Sequence, residues 1–233
     1  MQKKFKGILL FKKIHKENDL YVKILSEKDE LISGIVYGGL SKKKRNIFQN
    51  GFFLSFVINY ILNKPPSISA ELTQPYISSI LQNKYKLSCL LSTISLLNIA
   101  IIEGQKINNI FSFTKDFLNF IIVNDKWLIE YIKYLFNLLK IIGYDIDHGS
   151  SLKNSYFDTK TLEFKKTYSE SSIFFSHELL KNKRITKSNF NEVNNFLRIF
   201  EIVFEKNHLS NFNLQLPNQY QLFKKLIIDN IDK

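Results

Sequence analysis

GIVYGGLSKKKRNIFQNG, residues 34–51, decides how the rest of the chain is read. Ile35, Val36 and Tyr37 are β-formers. Gly38 and Gly39 follow, then four consecutive cations, Lys42, Lys43, Lys44 and Arg45, then a return through Phe48 to Gly51. A strand that hands over to two glycines and a cationic loop presents its charge to something outside the chain. Four adjacent cations repel one another and make a costly solvating device, so they favour a polyanionic partner.

Working outward, four further runs read as strands. Residues 5–14 and 20–25 are joined by the polar, turn-like HKEND of residues 15–19. An acidic turn, Glu27-Lys28-Asp29-Glu30, leads into the strand at 31–37. After the basic loop comes a long strand at 52–62, broken by Asn63-Lys64-Pro65-Pro66. The last, 67–73, alternates: Ile68, Ala70 and Leu72 against Ser67, Ser69, Glu71 and Thr73. Five strands with no helical pattern between them fit a small closed barrel. The OB-fold is the first expectation, because its open face and loops commonly hold single-stranded nucleic acid. An SH3-like barrel is the competing one.

Pro75 closes this unit, and from Tyr76 the apolar period becomes helical. Ile77, Ile80 and Leu81 begin it, and residues 87–103 continue it as an apolar helix ended by Gly104. Phe111, Phe113, Phe117, Leu118, Phe120 and Ile121 mark another helix. Asp125 is placed to cap a third over 126–142, with Gly143 as its C′ residue. Residues 144–170 are polar and predict a short β-hairpin turned at 158–160. A short helix at 173–180, a longer one at 189–205 and a last helix opened by Pro217 complete the pattern. The expected class is therefore α+β, with a five-stranded OB-fold at 1–75 and a mostly helical domain at 76–233. The hairpin lies at about 150–168 in that second domain.

Composition bounds the function. Hydrophobic residues make up 45%, enough for a real core. The net charge is +12, which favours polyanions or anionic surfaces. Some of this basicity is background in a chain rich in Lys, Asn and Ile. Its distribution is uneven, however: residues 1–75 carry 13 Lys+Arg against 6 Asp+Glu, and residues 76–233 carry 20 against 15. Cys89 is the only cysteine, so no disulfide framework or cysteine zinc site can form within one chain. The N-terminal residues have neither an apolar h-region nor a small-residue cleavage site, so no signal peptide is expected. The apolar run 87–102 is interrupted by Ser, Thr and Asn and suits a buried helix better than a membrane span. A cytoplasmic protein is the expectation.

No catalytic constellation stands out: there is no phosphate-loop glycine pattern, no HExxH and no GxSxG. His15, His148, His177 and His208 are scattered singly. Asp145, Asp147 and His148 fit a hydrogen-bonded turn better than a metal site, and Asp29 and Glu30 lie in a turn with no need of an acid/base role. No cofactor is expected. The basic and aromatic pattern of the first 60 residues is more informative, since phosphates need closely spaced cations and unstacked bases need flat side chains. Lys12, Lys13, Lys16 and Lys23 belong to the first two strands and their link, and join residues 42–45 as candidate phosphate ligands. Phe11, Tyr21 and Tyr37 are candidates for stacking. The alternative is that Phe11 and Tyr37 fill the barrel and the lysines merely solvate it.

These residues resemble the RecO family of bacterial DNA repair and recombination mediators. The resemblance is carried by GILL at 7–10, END at 17–19 with the strand after it, and GIVYGGLSKKKR at 34–45 with GlnAsn at 49–50. LLKIIGYDID at 138–147 and PNQYQLFKKLI at 217–227 extend it toward the C-terminus. It implies an N-terminal OB-fold, a helical second domain and a non-enzymatic protein. Such a protein binds single- and double-stranded DNA and anneals complementary strands. It contacts RecR and single-strand-binding protein, and so helps RecA load in the RecFOR pathway, in the cytoplasm at the nucleoid. Many members carry a four-cysteine zinc site after the glycine-ended helix. Residues 146–170 hold no cysteine, which resembles a zinc-free branch. The competing expectation is an adaptor whose cations meet acidic peptides.

Overall fold

The structure is a computed structural model and describes residues 2–74, 79–146, 154–182 and 190–231. The expected boundary at Pro75, the helix start at Tyr76 and Ile77, and the turn at Asp147 and His148 lie outside the described residues.

Five strands come first: β1 (Gln2–Ile14), β2 (Leu20–Ser26), β3 (Leu31–Val36), β4 (Phe53–Asn59) and β5 (Ser67–Gln74). They form a closed barrel in the order β1-β2-β3-β5-β4. β1 is long enough to serve two neighbours, pairing Ile8 with Leu25 of β2 and with Phe53 of β4. Closure runs through the parallel β3–β5 contact, Ile35 opposite Ser67, where Ile35 N–H donates to the Pro66 carbonyl at 2.8 Å. This Greek-key barrel is the OB-fold, and the SH3-like alternative falls away. Alternation supplies the core: Leu20, Val22 and Ile24 from β2 meet Leu54, Phe56 and Ile58 from β4, with Leu9, Val36 and Ile68 beside them. Each such side chain contributes about 1.5–3 kcal/mol on burial.

The strand boundaries lie within a residue of those expected, except that β1 starts at Gln2 rather than residue 5 and that β4 ends early. That strand stops at Asn59, so Tyr60, Ile61 and Leu62 stand in the loop before Pro65 and are exposed. A residue at the tip of a two-stranded hairpin has no neighbouring strand to pack on, whatever its β propensity.

Helices follow: α1 (Lys84–Ala100), α2 (Ile110–Val123) and α3 (Trp127–Ile141). Asn83 caps α1, accepting from the backbone N–H groups of Tyr85 and Lys86. Helix α2 buries Ile110, Thr114, Phe117, Leu118 and Ile121, a stripe at helical spacing. The expected cap of α3 by Asp125 is corrected: the N-cap is Lys126 with no side-chain cap bond, and its N–H is taken by the Asn124 side chain at 2.9 Å. Gly143 ends α3 with φ 95°, as a C′ glycine should.

Next come β6 (Asn154–Asp158), β7 (Glu163–Lys165) and β8 (Ser172–Ser176), in a three-stranded sheet of order β7-β6-β8. The hairpin is the expected one. The third strand corrects the helix expected from residue 173: Ile173, Phe174 and Phe175 pair with β6, and helix begins only at α4 (His177–Asn182). β-branched and aromatic residues with a partner strand available take the pleated conformation. Then α5 (Phe190–Phe204) runs into a π-turn at Glu205–Leu209, and α6 (Asn218–Ile231) follows Pro217.

The chain divides into two compact units, Met1–Ile122 and Val123–Lys233. The first unit thus comprises the barrel with α1 and nearly all of α2. Two carboxylates tie those helices to it. Asp29, at the β2–β3 turn, accepts from the backbone N–H groups of Asn109 and Phe111 at 3.0 Å each. Glu103, after α1, meets the outer side of β2 and β3.

Candidate nucleic-acid interface

The basic loop is a succession of turns rather than a free excursion. Lys44 and Arg45 N–H donate to the Ser41 carbonyl, and Ile47 N–H to that of Lys44. Gly38, with φ 62°, starts it, and its N–H donates to Asp19 Oδ1 at 2.8 Å. Leu40 N–H donates to the Asn18 carbonyl. The loop therefore leans on the β1–β2 turn at its near end. At its far end Phe48 is 1% exposed and fills the end of the barrel core. The aromatic expected at the tip of the return is thus an internal anchor.

Around this anchor the predicted ligands separate. Lys42, Lys43, Lys44 and Arg45 are all exposed. Lys44 Nζ donates to the Tyr37 carbonyl at 2.8 Å, which folds it back along the loop. Lys13 and Lys16 are exposed on the end of β1 and on its turn, and Lys13 Nζ lies 5.2 Å from the Tyr21 ring centroid. Lys12 turns under the loop, donating to the Phe48 carbonyl at 2.7 Å and to Gln49 Oε1 at 2.8 Å. Desolvation at that site lowers its pKa. Gln49 in turn donates to the Arg45 carbonyl at 2.9 Å, so Lys12 and Gln49 together set the height of the cationic run. Lys23 is paired with Glu103 at 3.0 Å.

Of the aromatic candidates, Tyr37 is 54% exposed and stands outside the barrel core. Phe11 and Tyr21 are half-buried, and the Tyr21 hydroxyl donates to Glu103 at 3.1 Å. Sequence reasoning missed Tyr60, Ile61 and Leu62, which it placed inside a strand; Leu62 is 89% exposed. The Asn-Lys-Pro-Pro turn behind them was the available signal, because the strand must have ended before it. Glu103 was missed for a different reason: its role depends on a contact 70 residues away from Ser33, which no local pattern encodes.

Elsewhere, chemistry is poorly served. Cys89 is buried, and desolvation raises its thiol pKa well above the ordinary value, which disfavours a reactive thiolate. Ser155 Oγ lies 3.0 Å from His177 Nε2, but both residues are buried and Ser155 is 0% exposed, closed to any substrate. A cavity of about 530 Å³ in the second unit is lined by Tyr144, Asp145, Lys206, Asn207 and Asn211 among others. Among the described residues its one carboxylate, Asp145, is ion-paired with Lys140 at 3.0 Å. Among the described residues no group of three or more His, Cys, Asp or Glu could hold a metal ion, and no helix is long and apolar enough to cross a membrane.

A closed five-stranded barrel of this order, carrying a pinned cationic loop and followed by helices and a small sheet, defines an OB-fold protein with a helical second part. No family model matches the chain. It is similar to proteins named DNA repair protein RecO. That of Rickettsia canadensis (strain McKiel) is 32% identical over 143 residues, 60% of this chain and 58% of the relative. That of Rickettsia akari (strain Hartford) is 32% identical over 142 residues, 60% and 59%. That of Rickettsia bellii (strain OSU 85-389) is 30% identical over 142 residues, 60% and 58%. The chain thus matches less than two thirds of the length of these relatives. Over that matched part, the chain is similar to RecO proteins.

Proposed function

We propose that the chain is a non-enzymatic DNA repair mediator that binds single-stranded DNA on its barrel and anneals complementary strands. The observation that carries this is the exposed run of Lys42, Lys43, Lys44 and Arg45 on a loop fixed to an OB-fold at both ends. Lys13 and Lys16 extend the cationic surface along β1 and its turn, and Tyr37 offers a ring to an unstacked base. Lys12 acts by holding the loop at its working height, and Lys23 joins from the neighbouring face. Cations that screen two backbones at once let complementary strands approach and pair. The names of the relatives support a role in DNA repair. Within that role the proposed partners are single- and double-stranded DNA, RecR and single-strand-binding protein, and the outcome is the loading of RecA on coated strands.

Each phosphate contact on a single strand contributes about −0.7 to the slope of log K against log salt. Replacing Lys42, Lys43, Lys44 and Arg45 by Ala is expected to flatten that slope by up to about 3 and to slow annealing of complementary oligonucleotides. Unchanged annealing and an unchanged slope in this variant would remove the loop from the site.

A second reading has one observation behind it: the barrel's outer face already holds a carboxylate, that of Glu103. The surface would then serve an adaptor that meets acidic peptides. Affinity for an acidic peptide without affinity for bare oligonucleotide would favour it.

A further inference from the structure

Three donors on the outer side of the barrel converge on one carboxylate. Tyr21 and Lys23 lie two apart on β2 and so point the same way; Ser33 is the cross-strand partner of Lys23 on β3. Tyr21 Oη donates to Glu103 Oε1 at 3.1 Å and Lys23 Nζ meets the same oxygen at 3.0 Å, while Ser33 Oγ donates to Glu103 Oε2 at 2.9 Å. Both oxygens are therefore gripped, by one positive charge and two hydroxyls. A phosphodiester presents the same recognition features: one negative charge spread over two oxygens on a single atom. Strands 2 and 3 are also the face on which OB-folds take oligonucleotides.

The carboxylate is held but not locked in. Glu103 and Lys23 side chains are 42% and 26% exposed, and ion pairs so open to water stabilise weakly. Burial pushes the Glu103 pKa up, but hydrogen bonds from Lys23 and Ser33, the Lys23 charge and the Tyr21 hydroxyl together bring it below the usual value, so it is charged at neutral pH. The helices do not need Glu103 to stay on the barrel. Asp29 independently takes the N–H groups of Asn109 and Phe111, the Asp29 carbonyl accepts from Ile107 N–H at 3.1 Å, and Glu30 forms a β-bridge with Lys106. Beside the site, Lys13 lies against the Tyr21 ring and adds a second cation.

We propose that Tyr21, Lys23 and Ser33 form a phosphodiester site for single-stranded nucleic acid, and that Glu103 occupies it as an internal competitor until a strand displaces it. This rests on the reading of the barrel as a DNA-binding surface. A single phosphate gains little by replacing a tethered carboxylate. A strand already held by residues 42–45 presents its next phosphates at high local concentration and does gain. Glu103 would thereby select for extended strands over isolated phosphates.

The test uses the full chain and a fluorescent oligothymidine over a salt series. Glu103→Gln keeps a hydrogen-bonding side chain and removes the competing charge. It is expected to tighten binding about two- to fivefold, the range an exposed ion pair spans, and to steepen the salt slope by about 0.7. Adding Lys23→Gln to it should abolish both gains, and Lys23→Gln alone should flatten the wild-type slope by about 0.7. Wild-type affinity and slope in Glu103→Gln, with lowered resistance to urea, would reduce the cluster to a structural tie and overturn the proposal. A gain for oligoglutamate but not for oligothymidine would assign the site to acidic peptide and overturn it too. If neither wild type nor any variant binds oligothymidine, the DNA reading itself falls and takes this inference with it.

Discussion

Gly34 has no side chain, and the barrel closes through the space one would fill. A Cβ there would stand 2.7 Å from the Pro66 carbonyl oxygen and 2.9 Å from two Ile68 side-chain carbons. Gly34→Ala is therefore expected to cost about 1–3 kcal/mol by forcing β3 and β5 apart, read as a lower urea midpoint. Gly38 is different in kind: nothing lies within 4 Å of its Cβ position, and only φ 62° argues for glycine. Gly38→Asn should cost less than about 1 kcal/mol, since Asn tolerates the left-handed region. The two glycines look alike in GIVYGG, and only the fold separates them. Asp158 makes a second residue-scale case. It is 5% exposed and accepts from Lys165 Nζ at 2.6 Å, from Lys160 N–H at 2.9 Å and from Thr161 N–H at 3.3 Å. The Lys165 hydrogen bond first, then those backbone bonds, hold its pKa far below the usual carboxylate range. A depressed carboxylate contributes stability that is complete above the unfolded pKa of about 4 and is lost as pH falls toward the folded value. Asp158→Asn should lower stability at neutral pH and shrink the loss between pH about 5 and about 2, measured by urea unfolding across that range. The residue was visible in the sequence as a turn former, but its pairing with Lys165 follows only from the β6–β7 register.

At the scale of elements, α2 shows what a distant side chain can do for a helix. Its first turn holds no acidic residue, and its free N–H groups are met by Asp29 from the β2–β3 turn. Such a cap contributes about 1 kcal/mol, with a further favourable effect of the negative charge at the helix N-terminus. Asp29→Ala should thus lower unfolding free energy by about 1–2 kcal/mol, and Asp29→Asn should restore only part of it, because Asn accommodates the φ of 64° found there but keeps one acceptor oxygen for the two N–H groups. The strands of the barrel were legible because each alternates and each is bounded by a polar or proline turn. The helices were legible from their period, but α1 is displaced from the expected span: Ile80 and Leu81 lie in a turn before its Asn83 cap, and it ends at Ala100 rather than running on to Gly104. What was not legible was anything set by a partner far along the chain: the Asp29 cap, the Glu103 tie and the third strand of the small sheet. Ile173, Phe174 and Phe175 suit a strand or a helix face equally until β6 is there to pair with.

Across the whole molecule the charge follows the compact units. Residues 1–122 carry 17 Lys+Arg against 8 Asp+Glu, and residues 123–233 carry 16 against 13. The field that draws a polyanion is thus concentrated in the unit with the barrel. Within the candidate interface, the cationic run could be read directly from the sequence. The division of labour among the lysines could not, because exposed, buttressing and paired lysines have the same letter. The two sheets also differ in a way that concerns misfolding rather than binding. The barrel closes on itself and leaves no open edge, whereas the order β7-β6-β8 places β7 and β8 at the margins of their sheet. β8 reads SIFFS, uncharged and rich in β-formers, and lacks the lysine or proline by which edge strands commonly discourage pairing with another copy. Under partial denaturation, then, aggregation should nucleate at residues 172–176, and the protease-resistant core of any aggregate should contain that segment and not the more hydrophobic strands of the barrel.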